Sequence, residues 1–463
     1  MHPKPRRTAR TTRRTVPVAI AAASTLLAGL AAAPGALAAT TATPAVPPFA
    51  IHAGPNFTLL PSPLTASGCQ SAYGISCYSA KQLQDAYNMS PLYRKGLDGR
   101  GETIVILIPY GSPTLQHDMH VYDQTFGLPD PQLQIIKFGK IPPYDPSTNP
   151  TMLYGAAGLT WQAELTHAIA PEAKIVVAET TVSGDAPDAG LPELMQAEDT
   201  LVKEGIGDIF EQMFSTAEPD FTGADTGDFS SLYALRYAFE DAVKHHVTTT
   251  APAGNLGSAE LDNDGNPLPA PAVLWPASDP LVTAIGADKA TLDNAGQTIA
   301  PPVGWNSFGQ AGAGGLSEVF PAPGYQAGVS SVVGDHRGIP DVTLSGAVDA
   351  ADWVYTSFGG VGGSGWNIFD GSGGATAQFD GVLAIADQLA GHSLGQINPA
   401  LYQLGYLSRH GDHATGLVDI TEGNNSIDGV PGYSAGPGYD LDSGWGTINA
   451  AQFVPALVQQ TEH

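Results

Sequence analysis

An α/β fold, with a mostly parallel sheet covered on both faces by helices, is what this sequence predicts. Three observations carry the prediction. The runs ETIVILIP at 102–109 and AKIVVA at 173–178 are apolar without alternation, as strands buried on both faces are. Stretches with helical patterning separate such runs in regular order. The 463 residues suffice for one large domain or two to three ordinary ones, and no internal repeat divides them.

In order, 80–89 reads as a helix, 102–109 as a strand and 114–126 as the following helix. Next come a strand at 132–137, a helix at 154–170 and a strand at 173–178. The alternation continues with a strand at 207–213, a helix at 233–245 and a strand at 247–251. Gly and Pro crowd 301–374, where long loops are expected. At 370–389, DGSGGATAQFDGVLAIADQL, a glycine-rich turn opens an apolar helix. Unpaired N–H groups and the positive end of the helix dipole belong at such a start, and a serine there is a common way to present a nucleophile.

Residues 1–38 read as a secretory signal. Six basic residues from Lys4 to Arg14 precede an apolar core at 16–33, and Ala36-Leu37-Ala38 fits a cleavage site. The pair Arg13-Arg14 admits a twin-arginine route. Secretion to an extracellular location follows, with no membrane attachment after cleavage, since no second apolar stretch approaches the ~20 residues of a spanning helix. Residues 39–79 read as a Pro/Ala/Thr-rich arm. It contains the two cysteines, Cys69 and Cys77, which are expected to form a disulfide outside the cell.

The formal net charge is −26. The signal holds six of the 19 Lys+Arg and none of the 45 Asp+Glu, which leaves the remainder at −32. Such a surface repels nucleic acid and anionic membranes, and it suits an acidic medium where protonation relieves self-repulsion.

Several motifs in order then carry a family resemblance: KQLQDAYNMSPL from Lys81, GRGETIVIL from Gly99, YGSPT from Tyr110 and FGLPD from Phe126. HAIAPEAKIVV from His167, WPASDPLVTAIGA from Trp275, RGIPDV from Arg337 and GYSAGPGYDLDSGWGTIN from Gly432 complete the series. Across 80–463 the chain resembles the sedolisins, secreted serine-carboxyl peptidases. The resemblance implies a subtilisin-like central parallel sheet.

It also implies four catalytic groups: a Glu base, an Asp one helical turn later that orients it, a Ser nucleophile and an Asp that stabilises the oxyanion. Carried over residue by residue, these positions read Gly158, Gln162, Gly373 and Asn255. Asn255 can still donate to an oxyanion; Gly158, Gln162 and Gly373 cannot act as base, orienter or nucleophile. Glu164 shares the helix but lies about 200° around it from Gln162. Ser372, one residue upstream, or Thr376, if the following turn is three residues shorter, are substitute nucleophiles, but neither restores a base. His167 reads as a core histidine, while His117 and His120 read as a solvated face rather than a metal site.

Finally, the resemblance implies one bound Ca2+ ion, with carboxylates from Asp419 and Asp440 and carbonyls from Ile420, Gly436 and Gly438. The expected function is therefore a secreted, calcium-binding homologue of serine endopeptidases that lacks proteolytic activity and binds a peptide or protein in the old cleft. Two rivals are an active acid peptidase using Ser372 or Thr376, and a structural envelope or matrix protein. The oligomeric state is not legible.

Overall fold

In the computed structural model, the run at 102–109 forms strand β1, Thr103–Pro109. Successive side chains of a strand point to opposite faces, and here both faces are buried. Ile104, Ile106 and Ile108 pack into one hydrophobic core, and Val105 and Leu107 into a second across the sheet. Burying each such side chain contributes roughly 1.5–3 kcal/mol. The structure describes residues 50–51, 60–182, 190–262, 266–268, 270–360 and 364–462. The signal at 1–38 and residues 39–49 and 52–59 of the arm lie outside the described residues.

The other strands of this sheet are β2 (Gln132–Lys137), β3 (Lys174–Thr180), β4 (Ile209–Gln212), β5 (Thr248–Pro252), β6 (Thr283–Leu292), β7 (Thr298–Gly304) and β8 (Val342–Ser345). Their order is β7-β6-β5-β4-β1-β3-β2, with β8 also pairing β6. Every pairing is parallel except β6 with β7. Helices Leu191–Lys203 and Tyr237–Lys244 cover one face, and helices Thr151–Ile169 and Ser372–Ala390 the other. The sheet is thus the subtilisin-like α/β arrangement that the motifs implied.

Helix Ser372–Ala390 runs through the core, and each of its residues from Ser372 to Asp387 is buried, while the last three are not. Gly381 explains how it fits. A Cβ there would stand 2.6 Å from the Cβ of Ile169, so glycine lets this helix lie against Thr151–Ile169.

Two expectations differ from what is observed. The Gly/Pro-rich region 301–374 holds strands rather than long loops, among them Gly315–Pro321, His336–Ile339, β8, Ala350–Thr356 and Gly365–Asp370. Within the segment read as an arm, Ala66–Tyr73 is a helix, and Ser76–Tyr78 is a strand pairing in parallel with Ala350–Asp352. Cys69 and Cys77 are joined by a disulfide that ties this helix to this strand. Closing so short a loop stabilises by about 2–3 kcal/mol on the chain-entropy model.

Candidate functional site

Three segments meet at the start of the central helix. The first is the middle of helix Thr151–Ile169, which carries Gly158 and Gln162 one turn apart. The second is the first turn of Ser372–Ala390, entered through Gly371 at a φ of 128°. The third is the loop after β5, which carries Gly254 and Asn255. The structure therefore brings together the positions that the motifs had placed far apart in sequence.

Gly158, Gln162 and Gly373 place neither a carboxylate nor a hydroxyl among them. A Cβ built at Gly373 would lie 2.7 Å from Gln162 Nε2. Gln162 thus occupies the room that a side chain at 373 would need. Both amide atoms of Gln162 are buried with no hydrogen-bond partner among the described residues. Gly374 is equally constrained, since its Cβ would stand 2.3 Å from the Trp161 ring.

Ser372 is fully buried; its N–H donates to Asn255 Oδ1 at 2.8 Å, and its Oγ accepts from Gly254 N–H at 3.1 Å. Asn255 Nδ2 has no hydrogen-bond partner among the described residues, so its donor is still uncommitted. Thr376 lies in the second turn of the helix rather than at its start. It is fully buried, and its Oγ1 donates back to the Ser372 carbonyl at 2.8 Å.

Glu164 turns away, as the helix angle required: its Oε2 accepts from Tyr355 N–H on strand Ala350–Thr356 at 3.1 Å. Burial holds its pKa well above the usual carboxylate value. Two acids near the helix start carry no motif in the sequence. Asp352 accepts from Trp161 Nε1–H at 3.3 Å, and its Oδ2 is 3.0 Å from where a Gly374 Cβ would be. Glu260 Oε1 is 2.9 Å from the corresponding point at Gly254. Burial raises the pKa of both well above the usual range. Nothing in AADWVYT at 350–356 singles out Asp352; only the fold shows which helix it meets.

The histidines read from sequence have ordinary roles. His167 is fully buried, with Nε2 2.7 Å from the Pro129 carbonyl and 3.4 Å from Asp123, and burial lowers its pKa. His120 is engaged by Asp130 at 2.7 Å and Gln124 at 2.9 Å, and with His117 it lines a groove of about 570 Å³.

The second candidate site lies near the C-terminus, and all five residues assigned to it are linked there. Asp440 Oδ2 accepts from Gly436 N–H at 2.7 Å, and Asp419 Oδ2 from Gly438 N–H at 2.9 Å. Ser443 Oγ donates to Asp440 Oδ1 at 3.1 Å and to the Ile420 carbonyl at 3.5 Å. Gly438, at a φ of 83°, makes the turn that a side chain would strain. Burial raises the pKa of Asp419 and of Asp440. Arg409 acts against that rise at Asp419, the glycine N–H groups face the two carboxylates, and among the described residues no group of three or more His, Cys, Asp or Glu side chains gathers to hold a metal; an oxygen-seeking cation would have Asp419, Asp440 and the Ile420 carbonyl to draw on here.

No family model matches the chain. Kumamolisin of a Bacillus species is 29% identical over 392 residues, which are 83% of this chain and 64% of that protein. Sedolisin of a Pseudomonas species is 28% identical over 275 residues, 58% of this chain and 44% of that protein. The chain thus spans less than two thirds of the length of these curated relatives. Among solved structures, Pseudomonas sedolisin, a serine-carboxyl proteinase complexed with two molecules of pseudo-iodotyrostatin, matches with a TM-score of 0.69 at 23% identity. That match covers 83% of this chain and 99% of the other. With the motif order, the shared fold and these relatives in agreement, the chain is a homologue of the sedolisin-family peptidases.

Proposed function

We propose that the chain is a secreted, calcium-binding sedolisin homologue that has lost proteolytic activity. A hydroxyl becomes a nucleophile only with a base within hydrogen-bond reach. The observation that carries the reading is how Ser372 and Thr376 are wired. Among the described residues neither hydroxyl bonds a carboxylate or an imidazole, and neither has exposed surface. The glycines at 158 and 373 and the amide at 162 supply nothing in their place.

Secretion rests on the signal-type residues 1–38 and agrees with the disulfide, which is stable in an oxidising compartment. No helix among the described residues is long and apolar enough to cross a membrane. Calcium rests on the converged Asp419 and Asp440 loop. Bound there, the ion would neutralise two carboxylates and hold the fold rather than take part in chemistry. The proposal keeps a peptide or protein ligand, bound without turnover.

A panel of fluorogenic peptides, assayed from about pH 3 to pH 7, tests the reading. The expected result is no hydrolysis. Turnover that disappears in Ser372→Ala or Thr376→Ala would overturn it.

A further inference from the structure

We propose that the outer edge of strand Gly365–Asp370 is a docking edge for an extended peptide, and that the chain covers this edge with its own residues 50–51. This edge is where the peptide of the reading above would bind, so the inference rests on that part of the reading. It is independent of the loss of hydrolysis.

The strand lies inside a four-stranded sheet that runs 50–51, Gly365–Asp370, Ala350–Thr356 and Ser76–Tyr78. On its inner side it pairs antiparallel with Asp352 to Thr356 at five successive positions. On its outer side Trp366 N–H donates to the Leu60 carbonyl at 3.1 Å, and Leu60 N–H to the Trp366 carbonyl at 3.4 Å. Bonding alternates along an antiparallel strand. Ile368 and Asp370 therefore aim their N–H and C=O groups outward, as Trp366 does. Ala50 faces Asp370 and Ile51 faces Phe369 in register. The chain passes directly from Asp370 into Gly371 and Ser372, so a segment on this edge ends beside the old nucleophile turn.

The cover is short. Among the described residues it consists of Ala50, Ile51 and Leu60, and its register breaks between them. Counting on from Ile51 opposite Phe369, residue 54 and not residue 60 would face Trp366. Pro55, between the two pieces, has no N–H to give to an edge. An edge held by so few bonds opens more readily than one held at five positions. An open edge is a template for another chain, and adding a strand to one is a general mode of peptide recognition.

Side chains narrow the choice of ligand. Cross-strand partners share a face. Leu60, opposite Trp366, is half-buried against a small core that contains Trp353, Trp366 and Ile368. A residue opposite Ile368 points to the same core, so the segment that fits is extended and apolar there. In a chain with 45 Asp+Glu against 19 Lys+Arg, an acidic segment would be repelled.

The test is hydrogen exchange of the full disulfide-bonded chain, resolved to single amides. In the wild type, the Ile368 and Asp370 amides should exchange about tenfold or more faster than those of Asn367 and Phe369, because the cover opens first. Equal protection overturns the proposal. Ala50→Pro removes the donor that faces Asp370. It should speed exchange at Ile368 and Asp370 and leave Asn367 and Phe369 slow; unchanged exchange at the outer amides overturns the proposal. The probe is a peptide of the sequence 46–53 carrying His52→Leu, which sets leucine opposite Ile368 in the same register. Added to Ala50→Pro, it should return both outer amides to wild-type rates or slower, and the same peptide N-methylated at Ala50 should not. A peptide that restores nothing, or a methylated peptide that works as well, overturns the proposal. Should Ala50→Pro not fold, the wild-type comparison and the two peptides in excess over the wild type decide by the same criteria. Mass analysis of the recovered peptide reads hydrolysis separately, so cleavage would contradict the earlier reading without touching the docking edge.

Discussion

Gln162 and Gly373 hold the reasoning at the residue scale. Gln162 Nε2 stands 2.7 Å from where a Cβ on residue 373 would begin, and both sites are enclosed. Adding atoms to a packed core costs typically about 1–3 kcal/mol. Gly373→Ser alone should therefore destabilise by that order, measured by urea unfolding. Gln162→Asp, which shortens the intruding side chain, should recover part of the loss, because residues in contact couple. Additive effects in the double variant would show that Gln162 does not fill this space. The positions 158, 162 and 373 were read from the HAIAP and FDGVLAIA anchors, and the structure sets Gln162 against Gly373. Asp352 and Glu260 were not legible. Trp161 and Asp352 are 191 residues apart, and only the packing of helix Thr151–Ile169 on strand Ala350–Thr356 makes them neighbours.

At the scale of elements, the strands with unbroken apolar runs were readable, and β1, β2 and β3 lie within a residue or two of where patterning put them. The glycine-rich region 301–374 was misread for a physical reason. Some of its glycines, such as Gly309 and Gly334, make turns at positive φ, but others serve close packing. A Cβ at Gly338 would meet Val333 at 2.5 Å, and one at Gly346 would meet the Gly371 carbonyl at 2.5 Å. Glycine counts alone do not separate these uses.

The C-terminal loop makes its own prediction. A ligand that binds only the folded state stabilises it by about 2.7 kcal/mol at a hundred times its Kd. EDTA should lower the melting temperature of the wild type and release one calcium by metal analysis. Asp440 also accepts bonds from Asp442 N–H and Ser443 N–H, so Asp440→Ala carries a cost of its own. The informative readout is therefore the sensitivity to EDTA, which Asp440→Ala should abolish. An EDTA-insensitive wild type without bound calcium would remove the ion from the account.

Across the whole molecule, buried acids set the pH dependence of stability. Burial pushes Asp123 and Glu198 up to about 8, and Asp288 and Glu218 to about 7. Glu211 on β4 and Asp380 on the central helix are both fully buried, and burial together with their closeness raises Glu211. Burial raises Asp380 as well. In the unfolded chain these groups titrate near pH 4. Their folded pKa values are raised, so the stability they permit is complete below about pH 4 and is lost as pH rises toward about 8. His167, lowered by burial, and Asp145, Asp228 and Asp241, lowered by their hydrogen bonds, work the other way. Self-repulsion of the acidic surface grows over the same range. The melting temperature should thus be highest on the acid side and fall steadily to about pH 8. A flat profile, or a maximum near pH 8, would contradict this.

The account's central claim is that the fold persists while the peptidase chemistry is gone. Its most direct measurement is mass spectrometry of a complex peptide library incubated with the wild type at acid to neutral pH, beside the Ser372→Ala/Thr376→Ala double variant. The account predicts identical product lists for the two proteins, with no cleavage above the buffer control. Cleavages made by the wild type and missing from the double variant would contradict it.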